Sequence, residues 1–322
     1  MRTRLISVKK IWDQAPHNAF TGLTRYRDHW FCIFREGEQH VSLDGNLRLI
    51  SSSDGVEWQS AGLFHSPHQH LTDMRDGKVG ITPDGQLIII GAAAVHGGCK
   101  ERQSYRWLSK DGLTWGDPMA VGEKDVWMWD FALNEKKIYS AGYGMPGTDL
   151  AHAGVRLYRS DDGSDFDAVT TMRQEDETAP IAMRSSETAI MFHCNQGVAL
   201  LRREFWEKPP GHAPATALLG TATAPYQHWN WRELEFHIGG PALIALPDGR
   251  IIAGGRKPFP QSHTALWEVD LTNGKLQEII TLPSANDSSY PGLVWHENLL
   301  WVSYYSSHEG KADIYLAKLQ ID

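Results

Sequence analysis

The sequence predicts an all-β protein built as a six-bladed β-propeller. Three observations carry that expectation. Short β-branched and aromatic runs recur along the whole chain, long amphipathic helical stretches are scarce, and one turn motif repeats at the spacing of a blade. The runs include Trp30-Phe31-Cys32-Ile33-Phe34, Leu87-Ile88-Ile89-Ile90, Ala189-Ile190-Met191-Phe192, Leu243-Ile244-Ala245-Leu246 and Leu300-Trp301-Val302-Ser303-Tyr304-Tyr305. Many are bounded by turn chemistry such as Pro83-Asp84-Gly85, Pro247-Asp248-Gly249 and Asn273-Gly274.

The repeat emerges when the turns are aligned. Ser52-Ser53-Asp54-Gly55-Val56-Glu57-Trp58 recurs as Ser109-Lys110-Asp111-Gly112-Leu113-Thr114-Trp115 and, more weakly, as Ser160-Asp161-Asp162-Gly163-Ser164-Asp165-Phe166. Asp and Gly close a hairpin, Ser supports it, and the aromatic plugs into the sheet, so these turns are structural. Their spacing gives units of about 50 residues, the size of a four-stranded blade. Inner strands are expected to begin near Ala19, Met74, Trp127, Ile181, Gly239 and Tyr290, each followed by a hairpin and a second strand. Arg203 to Pro225, rich in Pro, Ala and Thr, reads as a long loop in the fourth unit, which makes five blades the alternative count. Length alone suggests two domains. The repeat instead makes residues 1–322 a single propeller domain, with no linker to divide it.

Composition narrows the function. With 41% hydrophobic and 22% charged residues the chain is in the globular range. The net charge is −8 and no basic block stands out, so a nucleic-acid partner lacks its electrostatic footprint. The 13 Trp suit a strand-rich core or a sugar-binding cleft. Cys32, Cys99 and Cys194 are far apart, which disfavours a disulfide framework or a zinc knuckle. His68-Gln69-His70 is the one His pair with a metal-like spacing, and a solvent-facing loop explains it better; no metal or cofactor is expected. No run approaches a membrane span, and Met1 to Lys10 lacks the apolar stretch of a signal peptide. The chain as given is therefore expected to be soluble and cytoplasmic, or secreted or periplasmic if a leader has been removed.

A propeller binds where its inner strands begin, so charged residues at those positions are the site candidates. Blade one offers His17, Asn18, Arg35, Glu36 and His40. Blade two offers His70, Asp73, Arg75, Asp76 and Lys78, the densest cluster, in which alternation puts Asp73 and Arg75 on one face and Asp76 and Lys78 on the other. Blade three contributes Trp127, Trp129, Asp130 and Tyr143, and Trp at a channel mouth suits stacking on a sugar. Blade four contributes Arg184, Glu187, Arg202, Arg203 and Glu204. Blade five contributes His237 and Arg256 around Gly239-Gly240-Pro241. Blade six contributes Tyr290, Tyr304, Tyr305, His308 and Glu309.

The turn motif resembles the Asp-box, or BNR repeat, of the sialidase superfamily. A wider resemblance, to bacterial sialidase-like and exo-α-sialidase proteins, is carried by Ser289-Tyr290-Pro291-Gly292-Leu293-Val294-Trp295 and Trp301 to Gly310. Phe34-Arg35-Glu36-Gly37, Asp73-Met74-Arg75-Asp76 and Ile238-Gly239-Gly240-Pro241 add to it. The resemblance implies a propeller of the sialidase type and a glycoside hydrolase acting on a glycan. It implies an arginine clamp on the sugar carboxylate, here Arg35, Arg75 and Arg256. It also implies an acid, Asp73 or Asp76, and a Tyr–Glu nucleophile pair, Tyr290 or Tyr304 with Glu187 or Glu204. Glu36, His70, Trp129, Arg203, His237 and His308 complete the expected substrate-binding set. The family's early Arg-Ile-Pro signature is missing, since the chain reads Asn18-Ala19-Phe20-Thr21-Gly22-Leu23, and no position inherits the first clamp arginine by motif.

Two alternatives stay open. A polysaccharide lyase acting on a uronic-acid glycan would use the same arginines with His17, His40, His70, His237, His308 or Tyr304 as base or acid. A glycan-binding propeller without catalysis would need the aromatic residues alone.

Overall fold

A computed structural model describes residues 2–67, 72–95, 102–144, 154–175, 181–258 and 261–322. Six four-stranded antiparallel sheets form a six-bladed β-propeller, and the described residues contain no helix. The first strand, β1 (Thr3–Trp12), waits for the end of the chain. Blade one is β2 (His17–Tyr26), β3 (His29–Gly37), β4 (Asn46–Ser52) and β5 (Gln59–Phe64). Blade two is β6 (Thr72–Ile81), β7 (Leu87–Val95), β8 (Arg102–Ser109) and β9 (Met119–Val121). Blade three is β10 (Val126–Asn134), β11 (Lys137–Gly144), β12 (Val155–Ser160) and β13 (Asp167–Arg173). Blade four is β14 (Met183–His193), β15 (Gln196–Phe205), β16 (Leu218–Thr223) and β17 (Asn230–Glu233). Blade five is β18 (Gly239–Ala245), β19 (Ile251–Lys257), β20 (His263–Asp270) and β21 (Lys275–Thr281). In blade six β22 (Ser288–His296), β23 (Leu299–Ser306) and β24 (Asp313–Ile321) are completed by β1, which pairs antiparallel with β24 and closes the ring.

The second strand of each blade is sandwiched between neighbouring blades. Leu87 to Ile90 are therefore all buried, and the run is apolar on both faces instead of alternating. The three repeated turns make matching hydrogen bonds. Ser52, Ser109 and Ser160 Oγ accept from the N–H of Gly55, Gly112 and Gly163 at 2.8, 2.9 and 2.8 Å. Each glycine has a positive φ, and a Cβ there would strike Trp301, Phe31 or Ile88 on the second strand of the preceding blade. The turn thus needs glycine twice, for its backbone and for blade-to-blade contact. At the first of these docks Trp30 and Trp301 stack at 4.2 Å.

One segment departs from the expectation. Leu218–Thr223, read as part of a long loop, is the third strand of blade four. Leu218 and Leu219 are buried, and Gly220 leaves room for the Trp231 ring across the pair. The small residues mark close packing here. The count is six blades, not the alternative five.

The inner strands share a feature that positions the site. Every one has a register shift near its start: Ala19/Gly22, Arg75/Lys78, Met128/Asp130, Ser185/Thr188, Gly239/Ala242 and Ser289/Gly292. These bulges place Phe20, Asp76, Gly240 and Tyr290 in the left-handed region, with φ of 64°, 54°, 57° and 53°. Three of them are not glycine, so each stores about 1–3 kcal/mol of strain, a cost that concentrates at functional sites.

Candidate active site

The bulges break strand alternation and bring their residues together at one end of the ring. Tyr290 is the hub. Its ring is 4.9 Å from Phe20, 5.4 Å from Trp129 and 6.0 Å from Tyr305, with the Arg256 guanidinium 5.2 Å above it. Its hydroxyl donates to Glu187 Oε1 at 2.7 Å. Arg202 Nη1 donates to the same carboxylate oxygen at 2.6 Å and to the Tyr290 hydroxyl at 3.2 Å. The other oxygen, Oε2, accepts the Gly240 N–H at 2.7 Å. Gly240 is required twice over: its φ is +57°, and a Cβ would lie 2.6 Å from the Tyr290 ring. Gly240→Ala is expected to push Tyr290 off Glu187 and to cost about 1–3 kcal/mol. Urea unfolding together with turnover checks this, and wild-type values in both would refute it.

Across the mouth, Asp76 is buried. Its Oδ2 accepts Trp127 Nε1 at 3.0 Å, while Oδ1 has no partner in the protein. Burial, opposed by the Arg75 charge and reinforced by Glu187, raises its pKa to about 6. Glu187 goes the other way. Burial opposes its ionisation, but the Arg202 charge and the hydrogen bonds from Arg202, Tyr290 and Gly240 outweigh burial and hold it below the usual range. Burial and then the Glu187 charge keep the Tyr290 phenol well above its ordinary pKa, so it is neutral and protonated. Two carboxylates held apart in pKa beside a phenol have the chemistry to give a proton, take a proton and attack an electrophile.

Arginines wall the pocket. Arg75 lies 4.8 Å over the Phe20 ring and reaches Asp73 at only 3.4 Å. Arg256 donates to the Ser288 carbonyl at 2.8 Å and to the Tyr305 hydroxyl at 2.7 Å. The side chains of Arg75, Arg202 and Arg256 retain 17%, 18% and 19% exposure, enough to meet a ligand. Tyr143 is buried close enough to feel the charges of Glu187 and Asp76. His237 Nδ1 donates to the Ala215 carbonyl at 2.8 Å, and burial lowers its pKa.

The structure therefore brings together Arg75, Asp76, Trp129, Glu187, Tyr290 and Arg256, with His237 near Arg202 and Glu187. It places the other candidates elsewhere. Arg35 is fully buried, with Nε 2.5 Å from Asp73 and its remaining donors on Gln39 O and Ser42, so Arg35 and Asp73 form an internal ion pair between blades. The alternation expected for Asp73, Arg75, Asp76 and Lys78 fails because the bulge at Asp76 interrupts it. Glu36 accepts from Trp12 and Arg48 on the side of blade one. Tyr304 faces the blade interior, where it donates to Pro283 O and stacks on Tyr315. Arg203 faces Thr216 and Glu233 within its own blade. Glu204 pairs with Arg184 and Arg202 without reaching Tyr290. His308 packs on Tyr315. His70, with His68-Gln69-His70, lies outside the described residues.

Sequence reasoning selected the neighbour in two cases. Arg202 and Tyr305, not Arg203 and Tyr304, face the pocket, because successive strand residues point to opposite faces. Nothing local distinguishes Arg from Arg or Tyr from Tyr. Asp287 was not singled out at all; it accepts the Tyr305 hydroxyl at 2.7 Å and lies 3.5 Å from Arg256.

No family model matches the sequence, and comparison with curated proteins finds no match. Solved structures do share the fold. The chain is similar to a Dyadobacter fermentans protein of unknown function, with a TM-score of 0.81 and 17% identity over 99% of each chain. It is similar to a GH93 α-L-arabinofuranosidase of Fusarium graminearum, solved with arabinobiose, with a TM-score of 0.75 and 12% identity over 98% of this chain and 97% of that one. It also resembles a Trypanosoma rangeli sialidase solved with sialic acid, with a TM-score of 0.68 and 11% identity over 98% of this chain and 58% of that one. The architecture is that of the sialidase and arabinanase propellers, and these named neighbours of known activity are glycoside hydrolases. No helix among the described residues is long and apolar enough to cross a membrane.

Proposed function

We propose that the protein is a retaining glycoside hydrolase that removes a carboxylate-bearing sugar from the end of a glycan. The hydrogen bond from Tyr290 to Glu187, set between Arg202 and Arg256 and opposite a protonatable Asp76, carries this reading. Tyr290 Oη attacks the anomeric carbon as its proton passes to Glu187, and Asp76 protonates the departing glycosidic oxygen. In the second half the Asp76 carboxylate takes a proton from water, which attacks the same carbon. The Tyr290–sugar bond breaks and the phenol recovers its proton from Glu187. A neutral Tyr with a carboxylate base suits a substrate whose own negative charge would repel an anionic nucleophile.

Three arginines at the wall favour an acidic sugar over a neutral one, because guanidinium forks match a carboxylate bidentately. Arg75, stacked on Phe20, brings a positive charge from blade two to the first inner strand, which lacks the early Arg-Ile-Pro signature. Of the sugars bound by the neighbours, sialic acid fits this wall better than arabinobiose does.

A screen of sialosides, uronides and neutral aryl glycosides tests the reading. Release of an acidic sugar with retention of configuration is expected. Arg75→Ala and Arg256→Ala should each weaken binding of that sugar by about 10- to 100-fold, the worth of a hydrogen bond to a charged group. Hydrolysis confined to neutral arabinofuranosides would refute the clamp. An unsaturated, ultraviolet-absorbing product would make the protein a lyase, and binding without turnover of any of these would make it a lectin.

A further inference from the structure

Beside the channel mouth, three side chains from separate segments meet at one point. His17 opens β2, His40 lies in the connection from β3 to β4, and Asp287 immediately precedes β22. His17 Nε2 and His40 Nδ1 are each 2.8 Å from the same oxygen, Asp287 Oδ2. The three atoms all lie within 4.8 Å of one another. We propose that His17, His40 and Asp287 form a binding site for a divalent transition-metal ion of the zinc class. The site is independent of the glycosidase reading.

The donor set suggests the ion. Two imidazoles and one carboxylate suit Zn²⁺, Co²⁺ or Fe²⁺, whereas Ca²⁺ and Mg²⁺ take oxygen ligands. Bonds of about 2.0–2.2 Å set tetrahedral ligands about 3.3 Å apart. The two contacts need to open by only about half an ångström to admit the ion. The ligands are held before it arrives. Asp287 uses its other oxygen to accept the Tyr305 hydroxyl at 2.7 Å, the outer support usual for a ligating carboxylate. The His40 ring packs edge-on against Phe20 at 5.2 Å, and the His17 ring lies 6.2 Å from Tyr305. His40 is 45% exposed and provides the entry path.

One feature sets the affinity. His17 Nδ1 is buried with no partner, so ligation through Nε2 leaves its proton unpaired. A missing outer-shell partner lowers affinity by about 10- to 100-fold, which makes this an exchangeable site. Three protein ligands leave positions for water or for a sugar oxygen, and the cation would add its charge beside Arg256.

The test is titration of the apoprotein with Co²⁺, read by visible absorption, and with Zn²⁺, read by calorimetry. One equivalent is expected to bind. His40→Ala and Asp287→Asn should each weaken that equivalent by at least about tenfold. His65→Ala, which removes an exposed His bonded to Asn46, should leave it unchanged. Thermal melting of metal-free His40→Ala checks that the variant is folded. Absence of a bound equivalent, or wild-type affinity in folded His40→Ala, overturns the proposal.

Discussion

Asp76→Asn is expected to yield a protein that is more stable at neutral pH and nearly inactive on natural linkages. Asp76 has a folded pKa of about 6, above the model-peptide carboxyl value, so the folded state binds more protons between the two values. Stability therefore falls as pH rises from about 4 to about 6, and the full loss persists above that. That rise corresponds to about 3 kcal/mol. Asn carries no charge and removes that penalty. Urea unfolding at pH 7.5 should show a gain of up to about 3 kcal/mol, with little change near pH 4. On kcat/KM, which ends at formation of the Tyr290–sugar intermediate, substrates with poor leaving groups should lose about 100- to 10,000-fold, while activated aryl glycosides, which need no acid in that step, should lose far less. In the wild type kcat/KM should decline above about pH 6 as Asp76 ionises, and fall on the acid side as Glu187 protonates below the usual carboxylate range. Full activity of the wild type at pH 8 would remove Asp76 from the role of acid.

Arg35→Ala is expected to destabilise the fold without touching ligand. Read from sequence, Arg35 leaves an apolar strand at its end and joins the clamp. In the structure it is fully buried and paired with Asp73, itself fully buried. Removing the guanidinium leaves the Asp73 carboxylate between blades one and two with only the 3.4 Å contact from Arg75 among the described residues, and leaves the Gln39 carbonyl and Ser42 without their donor. Breaking a buried pair from one side costs about 3–5 kcal/mol. Denaturant unfolding at pH 7 should show a loss of that size. A variant of wild-type stability that had lost affinity for an acidic sugar would return Arg35 to the clamp.

Legibility followed the range over which each feature is determined. The turns were readable because each is closed within seven residues by its own Ser, Asp and Gly, as with Ser52, Asp54 and Gly55. Their spacing then fixed the blade size, and the expected inner-strand starts fall within two residues of the observed strands, as at Gly239 for β18 and Tyr290 for β22. Leu218–Thr223 escaped because a strand covered by Trp231 needs small residues, and small residues mimic a loop in sequence. Residue type at strand starts points to Asp76, Glu187 and Tyr290. Their partnership was not readable, since it joins blades two, four and six.

By itself the sequence determined an all-β chain, a repeat of about 50 residues and a set of charged and aromatic residues gathered where inner strands begin. Periodicity and turn chemistry are local, and a linear reading recovers them. Only the tertiary structure decided which member of each adjacent pair enters the pocket, Arg202 over Arg203 and Tyr305 over Tyr304, and that Asp76 does so where Asp73 does not. Strand parity reverses every residue, and the bulges at Phe20, Asp76, Gly240 and Tyr290 reset that parity inside the inner strands themselves. The two His and one Asp at the rim show the same dependence. Asp287 lies 270 residues from His17 and 247 from His40 in the chain, and closure of the ring between β1 and β24 brings it to them.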